Sequence, residues 1–78
     1  MILIDIKDYD IAIMRHAFKR ALKRGIHPDM IEHIIINGKI KRFGKNRIKF
    51  INKGSKRTII CVGEIINNKI KIITVEVN

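Results

Sequence analysis

At Lys39 the spacing of apolar residues changes from about 3.6 to 2, and no other feature limits the fold as sharply. Ahead of that point the pattern is helical; beyond it apolar and polar residues alternate. Two helices followed by a run of strands make an α+β domain, not a helix bundle or an all-β barrel.

Ile11, Met14, Phe18 and Leu22 fall on one helical stripe, with Ala17 and Ala21 at its edge. Asp8 or Asp10 is the expected cap, since an Asx oxygen can accept from the free N–H groups of a first turn. Gly25 ends this helix. Pro28 opens a second, where its missing N–H costs nothing, and Asp29 and Glu32 place acid near that N-terminus. Met30, Ile31, Ile34 and Ile35 form its apolar face, and Asn37-Gly38 stops it. Met1–Ile6 alternates weakly and is expected to be a short leading strand.

Four strands are expected after Lys39: Ile40–Phe43, Arg47–Ile51, Arg57–Ile65 and Lys69–Val77. The breaks Gly44-Lys45-Asn46, Asn52-Lys53-Gly54-Ser55 and Asn67-Asn68 carry turn residues and suit antiparallel hairpins, so the strands form a meander. In the last strand Ile70 and Ile72 share a face with Thr74 and Glu76, while Ile73, Val75 and Val77 share the other. That change of phase predicts a bulge or a strand covered differently at its two ends.

A chain of 78 residues makes one domain, 1–78, that buries only about 60% of the surface exposed when unfolded. The single Cys61, between Ile60 and Val62, can form no internal disulfide and is expected to be buried. Three scattered histidines offer no zinc spacing, so neither a metal nor another cofactor is expected. Asp5, Asp8 and Asp10 are unlike the basic opening of a secretory signal, and apolar runs such as Ile59–Val62 are far short of a membrane span. The expected location is cytoplasmic. Heavy use of Ile, Lys and Asn fits an AT-rich genome or a hot, archaeal habitat.

A net charge of +10 points to a polyanionic partner. Part of that charge lies on the first helix, where His16, Arg20 and Arg24 form a slowly turning row flanked by Lys19 and Lys23. Like charges at that spacing repel, so a neutralising partner is expected beside the ordinary alternative of a solvated face. The meander adds nine cations ahead of Ile59, among them Arg42, Arg47 and Lys49. It holds only two of the four aromatics, Phe43 and Phe50, so nucleic acid would be held mainly through phosphates. His27, beside Pro28, is expected in a turn, and His33 on the exposed side of the second helix.

The segment His16-Ala17-x-x-Arg20-x-x-x-Arg24-Gly25-Ile26, followed by an Ile-rich helix ending Asn37-Gly38 and a tail with Ile73-Thr74, resembles a small prokaryotic family of unknown function. That family is grouped with RelE/ParE-type toxins and with barnase-like, EndoU-like and colicin-like ribonucleases that work without metal. The resemblance implies a RelE-like fold whose sheet cradles RNA, with His16 and Arg20 at the site and Thr74 at the polar position of the last strand. It further implies a toxin-type endoribonuclease of a toxin–antitoxin pair, acting on free or ribosome-associated RNA and covered by an acidic antitoxin.

Cleavage of that kind uses the 2′-hydroxyl as nucleophile, a general base, a general acid and cations on the phosphorane. His16 is the candidate acid or base, because histidine is the residue type that titrates near neutrality. Arg20, Arg24, Arg42, Arg47 and Lys49 are the candidate phosphate ligands, and Thr74 could position phosphate or water. No histidine lies in the meander, and Tyr9, the single tyrosine, precedes the first helix. The competing expectation is a basic RNA- or DNA-binding or protein-interaction module without catalysis, as a monomer or a homodimer joined at an exposed last strand.

Overall fold

The computed structural model describes residues 9–78; the expected strand Met1–Ile6 and the candidate cap Asp8 lie outside them. The elements are β1 (Asp10–Ile13), α1 (Arg15–Lys23), α2 (Pro28–Asn37), β2 (Lys39–Phe43), β3 (Arg47–Lys53), β4 (Thr58–Ile66) and β5 (Lys69–Val77). The α+β class follows directly, and the strand bounds differ from expectation by one or two residues.

The sheet has five strands in the order β1-β5-β4-β3-β2. β2 to β5 form the antiparallel meander. β1 adds to it in parallel, pairing Asp10–Ile13 with Lys69–Ile72 of β5. This corrects two expectations. Asp10 belongs to a strand and caps nothing; α1 begins after Met14, whose side chain makes no cap hydrogen bond. The last strand is also not a sheet edge, because β1 covers its first half. The physical reason is one tertiary partner: the free edge of β5 supplies Asp10–Ile13 with a ladder and seats Ile13 against the core, which outweighs continuing the helix back to Asp10.

Gly25 terminates α1 at φ 77°. Its N–H donates to Leu22 C=O (3.1 Å), and Ile26 N–H donates to Ala21 C=O (2.8 Å), the paired bonds of a Schellman end. The α1 face differs from the expected stripe. Ala17 and Ala21 are buried, Phe18 is half-buried and Leu22 is 43% exposed. Two alanines allow a close approach of α1 to β5, and the larger apolar residues flank that contact.

Pro28 is the first residue of α2, and Ile31, Ile34 and Ile35 are its buried face. Gly38 ends the helix in extended backbone, donating to Ile34 C=O at 2.7 Å. A Cβ at Gly38 would lie 2.5 Å from Ile34 O and 3.0 Å from Ile51 O, both backbone atoms that cannot turn away. Gly38→Ala is therefore expected to cost about 1–3 kcal/mol by overpacking. A urea unfolding midpoint equal to that of the parent protein would contradict this.

Both helices lie on one face of the sheet, α1 on β5 and α2 on β3 and β4. Phe50, Ile48, Cys61, Ile70, Ile72 and Val75 face them and fill the core. The expected bulge is present: Val62 pairs with Thr74 but Gly63 pairs with Ile72, leaving Ile73 as the extra residue. It reverses the phase of β5. Val75 and Val77 thereby join Ile70 and Ile72 on the helix side, while Thr74 and Glu76 turn to the other face with Lys69 and Lys71. The sequence pattern had put Thr74 and Glu76 on the face of Ile70 and Ile72, because strict alternation takes no account of the inserted residue.

Candidate nucleic-acid interface

The face without helices carries one of two cationic surfaces, the other being the exposed row along α1. From the strand register it carries Lys39 and Lys41 of β2, Arg47, Lys49 and Lys53 of β3, and Lys69 and Lys71 of β5. Against them stand Asp10, Glu64 and Glu76. Alternation explains much of the separation: Lys39 and Lys41 of β2 and Arg47, Lys49 and Lys53 of β3 alternate with Ile40, Ile48, Phe50 and Asn52, which lie on the helix side.

Two rows cross this open face. In one, Lys41, Lys49, Val62 and Thr74 are successive cross-strand neighbours. Lys49 and Thr74 are thus two strand spacings apart, about 10 Å, with Val62 between them. In the other row Phe43, Arg47, Glu64, Lys71 and Ala12 are aligned. Lys49 Nζ sits 4.7 Å from the centre of the Phe43 ring, a cation–π contact that holds the ammonium near the plane of the face. Val62 is 7% exposed yet lies outside the main core; with the half-buried Ile51 and Ile60 it forms an apolar strip within the cationic rim.

Of the candidate residues, Arg47, Lys49 and Thr74 share this face. Arg42 does not. It pairs with Ile48, which puts it on the helix side at the exposed β2 edge. His16, Arg20 and Arg24 are exposed along α1. The eight residues from His16 to Arg24 span about 12 Å of helix axis, so Arg24, at the C-cap, stands at the opposite end of α1 from His16. The start of α1 is hydrogen-bonded to β5 just before the bulge. Met14 N–H donates to Ile72 C=O at 3.0 Å; His16 is two residues beyond the first partner and Thr74 two residues beyond the second. The first turn of α1 and the bulged segment of β5 therefore diverge from one shared hydrogen bond.

The remaining candidates have structural roles. Cys61 is fully buried, and burial pushes its thiol up to about 11, which keeps it neutral. His27 is the residue preceding α2, its C=O accepting from Met30 and Ile31 N–H. His33 Nδ1 lies 3.2 Å from the Asn37 side-chain amide. Among the described residues no three His, Cys, Asp or Glu side chains gather as metal ligands, and no helix is long and apolar enough to cross a membrane.

Glu64 is the residue the sequence pattern did not single out. Its signal was its isolation: it is the first carboxylate after Glu32, so a stretch with nine cations ends at one acid. Only the sheet register shows that this acid is flanked by Arg47 and Lys71.

A family model matches residues 13–77. The chain belongs to that family, described as Domain of unknown function (DUF4258). The matched part of this DUF4258 chain runs from β1 into β5 and includes all seven candidate residues from His16 to Thr74. No curated protein and no solved structure gives a significant match.

Proposed function

We propose that this DUF4258 protein is a RelE-like, toxin-type endoribonuclease that binds RNA on its open sheet face and cleaves it without metal. The reading rests chiefly on the separation of faces, with both helices on one side and seven Lys and Arg residues on the other. An extended phosphate chain laid along β2 and β3 would meet Lys39, Lys41, Arg47, Lys49 and Lys53. Thr74 belongs to the open face and would act on phosphate or water. His16, as acid or base, and Arg20, one turn further along α1 as phosphate ligand, stand on the helix side, so cleavage would depend on RNA passing around the β1 edge of the sheet to reach them. The open face, an apolar strip rimmed by cations, suits an acidic antitoxin that competes with RNA.

A second reading has its own support. The α1 row is spread along the helix, and Arg42 and Arg24 lie away from the open face, which is what a binding module without catalysis would tolerate. Incubation with a mixed RNA pool in EDTA, followed by end-group analysis, separates the two. Fragments with 2′,3′-cyclic phosphate ends support the ribonuclease, whereas RNA retained intact at low salt, with no cleavage on ribosomes either, leaves the binding module.

Binding itself gives a sharper test of the face. Lys49→Ala is expected to weaken affinity for single-stranded RNA severalfold and to reduce the slope of log affinity against log salt by about 0.7 to 1. Arg42→Ala, on the other side of the sheet, should alter both much less. Equal effects of the two substitutions in a salt titration would argue against the open face as the binding surface.

A further inference from the structure

The end of the open face holds a preformed hollow of about 450 Å³ lined by Phe43, Gly44, Lys45, Asn46, Arg47 and Glu64. It lies where the β2–β3 turn folds beside β4. Its walls are tied together: Ile65 N–H donates to Asn46 C=O at 2.6 Å, which fixes the turn against the residue following Glu64. Gly44, at φ 61°, allows the tight reversal that brings Phe43 and Arg47 opposite each other. The hollow therefore combines one aromatic ring, two cations, one amide and one carboxylate, and it opens on the row Phe43, Arg47, Glu64 of the RNA-binding face.

That set is more than phosphate recognition needs. Lys45 and Arg47 suit a phosphate; a carboxylate would repel one. A carboxylate at the wall of a hollow beside an aromatic ring suits a planar group that offers two adjacent N–H donors. Among the RNA bases, guanine has this edge, with N1–H beside the N2 amino group. Adenine and cytosine each place an acceptor next to their amino group, and uracil has a single N–H between two carbonyls. We infer that the hollow at the β2–β3 turn is a guanine-binding subsite, with Glu64 accepting from N1–H and N2–H, Phe43 providing the apolar wall, and Lys45 and Arg47 holding the adjoining phosphate.

This deepens the proposed RNA reading and depends on it, but not on catalysis. The test uses fluorescein-labelled 2′-O-methyl oligouridine nonamers, which cannot be cleaved through the 2′-oxygen, with one central G, inosine, A or C. Fluorescence anisotropy at low salt is expected to show the G-containing strand bound about tenfold more tightly than the A or C strands. Inosine, which lacks the N2 amino group, should fall between them. Glu64→Gln should abolish the preference for G, and by removing one negative charge from the cationic face it should raise the affinity for all four strands alike. Glu64 lies outside the core, and an unchanged circular dichroism melt would establish that the variant is folded. Equal affinity for all four strands in a protein that binds oligouridine overturns the subsite alone, as does a G preference that survives in Glu64→Gln. Failure to bind any strand overturns the subsite together with the RNA reading.

Discussion

His16→Ala is expected to reduce RNA cleavage by about 10²- to 10⁴-fold, the usual contribution of a positioned acid or base. The loss should fall on turnover and not on binding, because on the proposed reading phosphate affinity resides mainly in the cations of the open face. Stability should be unchanged. His16 is exposed, on a turn of α1 whose packing comes from Ala17 and Ala21, and exposed substitutions away from special features are usually within about 0.5 kcal/mol. The measurement is single-turnover cleavage in EDTA, paired with a thermal melt and a low-salt binding isotherm. Cleavage retained at the parent rate would remove His16 from the chemistry. Loss of binding together with cleavage would make it a phosphate ligand or a structural residue instead.

The second large effect concerns the core. Phe50 is fully buried on the helix face of β3, between Ile40 of β2 and Cys61 of β4, and is the largest fully buried side chain among the described residues. Phe50→Ala is expected to cost about 3–5 kcal/mol through lost transfer free energy and the cavity left behind. A domain of this length has only about 4–12 kcal/mol of stability in total. The melting temperature should therefore fall by on the order of 20 °C, or the chain should be largely unfolded at room temperature. A shift of less than a few degrees in a calorimetric scan would mean that the β3 core collapses around the missing ring or contributes little to cooperativity.

Much of the fold was legible because local rules and tertiary packing agreed. Gly25 had to end α1, and Pro28 could only open α2. The Gly44 and Asn67 turns lie where the apolar alternation breaks, and both residues adopt positive φ. Disagreement came where a neighbour distant in sequence was decisive. Ile11 fits a helical stripe with Met14 and Phe18 as well as it fits a strand with Ile13, and the edge of β5, some sixty residues away, selects the strand. The candidate site was legible to the same degree. Arg47 and Lys49 were found because alternation places them on one face, whereas Arg42 needed the register, and Glu64 needed its cross-strand neighbours, to be assigned.

The amino-acid sequence alone determined the α+β class, the two helix ends, the hairpin turns and the strong positive charge. Each depends on residues within a few positions of one another or on simple composition. Tertiary structure alone decided that β1 joins the sheet in parallel, that the bulge at Ile73 turns Thr74 away from the core, and that cations scattered over β2, β3 and β5 share one open face. These are consequences of pairing between strands. A single inserted residue or one free sheet edge reverses which face a side chain occupies, and no local pattern carries that information.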